Sequence, residues 1–148
     1  MTMFNSSLYD ETTFYRKFIQ DLLHASHEVV IESPFITSER MKMLFPIFQT
    51  LVKRNIKVYI FTRDPMEHSE TMEIQSESEI QRFEELGAQV LLCVGNHHRK
   101  LAIIDRQILW EGSLNILSQS KSREIMRRID DEITTLDTVN FLNLERFL

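Results

Sequence analysis

The sequence predicts an α/β fold, on two observations. Short apolar runs of strand length alternate with longer segments of helical period, and two adjacent strand-like runs late in the chain read as a hairpin. The order β-α-β-α-β, then the hairpin, gives an α/β sandwich with a mixed sheet flanked by helices. At 148 residues, with 43% apolar and 26% charged side chains, residues 1–148 are read as one domain.

Each element has its own signal. "TTFYRKFIQDLLHAS" sets Phe14, Phe18, Leu22 and Ala25 on one helical face. "EVVIESPFI" is a β-branched strand stopped by Pro34. "SERMKMLFPIFQTLVKRN" has helical spacing from Met41 to Val52, with a kink or a late start expected at Pro46. "IKVYIF" is a second strand. The polar stretch Thr62 to Ser78 lacks a core period and is expected to be a surface loop, either disordered or flanking the cleft and gating substrate. Ser76 with Glu79 forms a capping box for a helix that Gly87 stops. "AQVLLCV" is a third strand, with Cys93 as a small buried hydrophobe. "KLAIID" and "QILWEG" make the hairpin. "NILSQSKSREIMRR" is expected to hold a helix, "DEITTL" a strand and "DTVNFLNLERFL" an amphipathic terminal helix.

Composition excludes several classes. Three glycines leave no GxGxxG and no Walker A loop. One cysteine excludes an intramolecular disulfide framework and Cys-based zinc knuckles. No apolar run approaches the roughly 18 residues that span a bilayer, so no membrane role is expected. The N-terminal stretch lacks the basic-then-apolar layout of a signal peptide, and a cytoplasmic setting is expected. A net charge of −5 argues against non-specific coating of nucleic acid, though not against a local basic cleft.

The stretch "HHRKLAIIDRQILWEGSLN", His97 to Asn115, carries the chemistry. A two-residue loop at Asp105-Arg106 pairs Ile104 with Gln107, sets His98 opposite Ser113 and Lys100 opposite Glu111. His98, Lys100, Ser113 and Asn115 then share a face. That set suits a phosphodiester. Lys100 neutralises a non-bridging oxygen, Ser113 and Asn115 donate hydrogen bonds, and Gly112 lets the backbone approach the phosphate. A neutral His98 imidazole is a competent nucleophile near pH 7. With Lys and Asn stabilising charge, neither metal nor cofactor is needed. His97 and His98 as a metal pair is awkward, because neighbours on a strand face opposite ways.

The spacing His98-x-Lys100-x4-Asp105-x6-Gly112-Ser113-x-Asn115 resembles the HKD motif of the phospholipase D superfamily. Six specified positions at about 5% usage each match by chance with odds on the order of one in a million. The resemblance extends across the chain: "VVIESPFIT" looks like the family's first strand and following loop, "RNIKVYIFTR" like its second. It implies a phospholipase D-like α/β/α sandwich with a mixed, largely parallel sheet. It also implies a phosphohistidine intermediate on one HKD histidine, while a second protonates the leaving oxygen and then activates water. One motif per chain implies a homodimer with a shared site, as in the small, typically metal-independent bacterial endonucleases of the family.

The same resemblance calls for an acidic residue beyond GSxN to orient the histidine. Glu132, opening "EITTL", is the first candidate, Glu124 the second, and Asp130 and Asp131 stay open. Asp105 belongs to the motif's catalytic set, but its place at the turn gives it a structural role bonding turn amides. Lys121, Arg123, Arg127 and Arg128 form a basic cluster suited to tracking phosphates, or a solvated face. Trp110 is core or interface, with base stacking as the other reading. The function expected is a metal-independent nuclease, with DNA favoured over RNA. A phospholipid-directed phosphodiesterase (phospholipase D or cardiolipin hydrolase type) and a non-catalytic module are the alternatives. Such domains also occur with helicases or other DNA-processing modules, in cis or in trans.

Overall fold

The computed structural model describes residues 5–148; the first four residues of the stretch examined for a signal peptide lie outside it. Seven strands form one sheet: β1 (Asn5–Asp10), β2 (Glu28–Glu32), β3 (Lys57–Arg63), β4 (Gln89–Cys93), β5 (Leu101–Ile104), β6 (Ile108–Gly112) and β7 (Ile125–Asp130). Their order across the sheet is β1-β7-β6-β5-β2-β3-β4. Among the described residues the α-helices are α1 (Phe14–Leu23), α2 (Ser38–Lys53), α3 (Glu70–Leu86) and α4 (Glu132–Phe141).

The sheet is mixed, as expected, but not largely parallel. Only β2–β3 and β3–β4 run parallel; β1–β7, β7–β6, β6–β5 and β5–β2 are antiparallel. Parallel neighbours need a crossover, and only α2 and α3 supply one between adjacent strands. After β4 the segment 94–100 carries the chain back past β3 and β2 to β5, a short turn leads to β6, and the loop 113–124 leads to β7.

Two cores cover the two faces. Phe14, Phe18 and Leu22 of α1, Leu44, Phe48 and Leu51 of α2 and Ile80 and Phe83 of α3 pack against Val29, Ile31, Ile60, Ala102 and Trp110. On the other face Val139 of α4 and Leu144 pack with Val30, Tyr59, Ile103, Leu109 and Ile129. The alternation of Val29, Val30 and Ile31 between the two clusters is the period-two pattern of a strand buried on both sides.

Several elements differ from the sequence reading. α2 runs unbroken through Pro46, N-capped by the Thr37 side chain. α3 begins at Glu70, so most of the expected 62–78 loop is helix. Ser76 and Glu79 are not a capping box; they are buried within α3, on the stripe shared with Ile80 and Phe83. Two polar residues on that stripe hide its helical period. Gly87 does end α3, at φ 114°. Cys93 is half-buried on edge strand β4.

The segment 115–128 is not a helix. It is a loop followed by β7, whose inward Met126 and Arg128 alternate with exposed Ile125 and Arg127. "EITTL" is the start of α4, not a strand: Asp131 Oδ2 accepts the Thr134 amide at 2.8 Å, and this N-cap overrides the β-branched run. The terminal stretch supplies the rest of α4 and a 3-10 turn at Leu144–Phe147. β1 had no signal of its own; it pairs along β7 at the sheet edge.

Candidate active site

The C-terminal ends of parallel strands β2, β3 and β4 lie at one edge of the sheet, beside the start of β5, the end of β6 and the start of β7. Glu32 pairs Leu101, Leu101 pairs Glu111, and Gly112 pairs Met126. His98, Lys100, Ser113 and Glu124 all sit on the connections at this edge. Crevices at the carboxyl ends of parallel strands are the usual binding places of open α/β sheets.

His98 and Lys100 belong to the irregular segment 96–100, which starts at Asn96 with φ 58° and precedes β5. Their side chains meet. Lys100 Nζ lies 2.8 Å from His98 Nδ1 and donates to the His98 carbonyl at 2.7 Å. The Lys100 charge is the main reason the His98 imidazole is held below its ordinary pKa, with burial and the Arg63 charge adding to it. Partial burial pulls the Lys100 ammonium down as well, against the opposing Glu124 carboxylate.

The hairpin register differs by one residue from the expected one. Ile104 pairs Ile108, so Lys100 lies level with Gly112 and not with Glu111. The turn takes three residues, with Asp105 and Arg106 both at φ 54°. Ser113 follows directly on the end of β6, with its hydroxyl beside Glu124. The Ser113 amide then donates to the Ile125 carbonyl at 2.9 Å, and the Ser113 hydroxyl accepts the Ile125 amide at 3.0 Å. Gly112 has a steric reason that differs from phosphate approach. A Cβ there would meet the Ile125 carbonyl oxygen at 2.1 Å, so β7 passes where a side chain would stand.

Of the four acidic candidates, the one at this edge is Glu124, immediately before β7. The Ser113 and Ser122 hydroxyls beside it hold its carboxyl below the usual value, with Lys100 contributing. Glu132 is elsewhere. It opens α4 after Asp130, which pairs Ile108 near the hairpin turn. Four residues of β6 separate that end from Gly112, about 13 Å at strand rise. Asp130 and Asp131 share this remote end: Asp130 accepts from Gln107 Nε2 at 2.9 Å, and Asp131 caps α4. Glu132 is thereby removed as the residue that orients His98.

Asp105 is also at the remote end, away from the chemistry. Its carboxylate accepts the backbone amides of Ser26, His27 and Glu28 at 2.7–3.0 Å, where the chain enters β2. Burial alone would raise its pKa, but these hydrogen bonds outweigh it and the carboxyl sits low. The role is structural, though the amides belong to the 26–28 segment and not to its own turn.

The loop 114–119 after Ser113 is tied down from three elements. Tyr15 Oη donates to the Ile116 carbonyl at 2.6 Å, and the Ser33 hydroxyl accepts the Leu117 amide at 3.1 Å. Arg40 donates to the Gln119 carbonyl through Nε and Nη2 at 2.9 and 2.7 Å. Asn115 is half-buried in this loop, and its Oδ1 accepts no hydrogen bond among the described residues.

The basic cluster divides. Arg128 is buried and grips Asp21 through Nε and Nη2 at 2.8 and 2.9 Å; the Trp110 indole N–H donates to the same carboxylate at 2.8 Å. Arg128 is therefore no phosphate contact, and Trp110, with no exposure, is core and no stacking platform. Lys121, Arg123 and Arg127 are exposed. His97 faces away from His98, toward Glu32.

Beside Lys100 and Gly112 a groove of about 860 Å³ runs to α4, bounded by Leu101, Phe141 and Leu142. It offers room beyond a phosphate for the rest of a substrate. Among the described residues no helix is long and apolar enough to cross a membrane.

This architecture, with a His-x-Lys pair and a Gly-Ser-x-Asn loop at the sheet edge, defines a phospholipase D-like domain. A family model described as "Cardiolipin synthase, PLD-like domain" matches residues 18–142, and the chain belongs to that family. No curated protein sequence matches significantly. Among solved structures the chain is similar to NucT from Helicobacter pylori, with TM-score 0.72 and 22% identity over 94% of this chain and 93% of that one. It is also similar to Nuc from Salmonella typhimurium, a phospholipase D family member, with TM-score 0.76 and 14% identity over 94% and 91%. Phosphatidylserine synthase from Haemophilus influenzae matches with TM-score 0.74 and 15% identity, over 99% of this chain but 39% of that one.

Proposed function

We propose that this chain is a metal-independent nuclease that hydrolyses phosphodiester bonds through a phosphohistidine at His98. The observation that carries the reading is the Lys100 Nζ–His98 Nδ1 approach of 2.8 Å at an exposed sheet edge, with Ser113 and Glu124 beside it. Lys100 keeps the imidazole neutral, the form that attacks. An incoming phosphate takes the ammonium onto a non-bridging oxygen and releases Nδ1 from it. The His98 ring nitrogen then forms the N–P bond as the P–O bond to the leaving group breaks. Ser113 and Asn115 hydrogen-bond the remaining oxygens. Water ends the cycle by breaking the N–P bond.

A proton must reach the leaving oxygen, and the chain has one motif histidine. The site is therefore proposed to be shared by two copies, His98 of one acting as nucleophile and His98 of the partner subunit as general acid and then base. The likeness in fold to NucT and Nuc over nearly the full length of those chains supports comparing this unit with theirs. Exposed Lys121, Arg123 and Arg127 are proposed to track the nucleic-acid backbone.

The test is cleavage of DNA, RNA and cardiolipin vesicles in EDTA. Nucleic-acid cleavage with intact vesicles is expected, with DNA favoured over RNA. Lipid hydrolysis without nucleic-acid cleavage would move the chain to the lipid-directed reading. Mixing with His98→Asn at constant total protein should lower activity as the square of the wild-type fraction; a linear fall would contradict the shared site.

A further inference from the structure

Glu32, the last residue of β2, is a carboxylate with no exposure at all. Full burial of a charge is costly, and an apolar residue in such a place is often as stable or more so. Its contacts show what it does there. Arg99 donates to Glu32 Oε1 through Nε at 3.1 Å and Nη2 at 2.9 Å. His97 Nε2 comes to 3.0 Å from the same oxygen, off the line of a good hydrogen bond, with its side chain 9% exposed. The second oxygen, Oε2, accepts no hydrogen bond among the described residues.

His97 and Arg99 flank His98. His97 and Arg99 both reach Glu32, while His98 and Lys100 turn to each other, so the hold on residues 97 and 99 sets which way 98 and 100 face. Among the described residues the segment's one backbone tie to a strand is the Gly112 amide at the end of β6, which donates to the Lys100 carbonyl at 3.4 Å. Its other ties are from outside as well. Arg63 Nε donates to the His97 carbonyl at 3.1 Å, and the Glu67 carboxylate accepts the Gly95 and Asn96 amides at 2.9 and 3.2 Å. The backbone is thus held from the β3 and β6 sides, while among the described residues Glu32 holds the two side chains that flank His98.

We propose that Glu32 is a positioning residue that grips His97 and Arg99 and thereby sets the rotation at which the segment presents His98 and Lys100 to the phosphate. The part of this that concerns catalysis rests on the phosphodiesterase reading above. The side chain touches neither His98 nor substrate; it acts through its two neighbours.

The experiment compares wild type with Glu32→Gln, Glu32→Met, Arg99→Met and the Glu32→Gln/Arg99→Met double variant. Thermal unfolding is followed alongside, so that rates refer to folded protein. Glu32→Gln should lower kcat about 10- to 100-fold, the range for residues that orient a reacting group through another, with KM changed less than about twofold. Arg99→Met should act in the same direction, and the double variant should be no worse than Glu32→Gln, because both remove one contact. The His98 ring resonances of folded Glu32→Gln should shift and broaden. Unchanged kcat per folded molecule, together with an unmoved His98 resonance, would overturn the proposal; so would a rate loss that only follows the folded fraction. If Glu32→Gln does not fold, Glu32→Met and Arg99→Met carry the same two readouts. If the wild type hydrolyses no phosphodiester, the functional reading falls while the His98 resonance still decides the positioning claim.

Discussion

The Nζ of Lys100 lies 2.8 Å from Nδ1 of His98, and its charge is the largest influence holding that imidazole below its ordinary pKa. Protonating the ring places a second positive charge beside the ammonium, so the neutral form persists to lower pH than for a free histidine. An NMR titration of His98 should have its midpoint below 6.5, and Lys100→Met should raise it toward that value. The same substitution should lower kcat/KM about 100- to 1000-fold through lost charge stabilisation. An unmoved His98 midpoint in Lys100→Met would disprove the coupling.

Glu124 and Glu132 make opposite predictions. Glu124 is held in its charged form by Ser113, Ser122 and Lys100 at the site edge, whereas Glu132 opens α4 at the far end of the sheet. Glu124→Gln should lower kcat about 10- to 100-fold, while Glu132→Gln leaves it within twofold. Steady-state kinetics on the two variants decide this, and equal effects would count against the site as drawn.

Asp105 stabilises the fold and not the reaction. Its carboxylate accepts amides from Ser26, His27 and Glu28. Asp105→Ala should lose about 2 kcal/mol or more of unfolding free energy, the scale of hydrogen bonds to a charged group. Because its folded pKa is depressed, this stabilisation is complete above the unfolded value of about 3.9 and fades as pH falls through the folded one. Urea unfolding at neutral and acidic pH should show the wild-type advantage shrinking toward low pH.

Arg128 offers a test of the basic cluster. Removing it leaves Asp21 buried without its main partner, so Arg128→Ala should cost about 3–5 kcal/mol of stability. Lys121→Ala, Arg123→Ala and Arg127→Ala should leave stability nearly unchanged and each reduce the salt dependence of nucleic-acid binding. Denaturant unfolding and binding at several salt concentrations separate the two groups.

The legible parts of this molecule are those where local pattern and tertiary environment agree. β2 and β3 are β-branched runs buried on both faces, and the His98-x-Lys100 pair survives any register because it depends only on closeness in sequence. The hairpin register was not legible, because it rests on Arg106 adopting a left-handed conformation uncommon for that residue. β7 was hidden by Arg127 and Arg128, since the inward arginine is admitted only by Asp21 from α1, a contact between distant parts of the chain. Losing β7 also moved the expected acidic partner to Glu132, because Glu124 then fell inside a supposed helix. Glu32 gave no signal: a glutamate ending an apolar strand reads as its step into solvent, and only folding shows it covered by His97 and Arg99.

The account turns on a covalent bond to His98. Rapid quench of the wild type with a phosphodiester labelled at phosphorus, followed by peptide mapping, tests it most directly. The predicted result is an acid-labile, base-stable phosphoryl group on His98, formed in EDTA and absent from His98→Asn. A protein that hydrolyses the substrate with no label on His98, or that keeps wild-type turnover as His98→Asn, would contradict it.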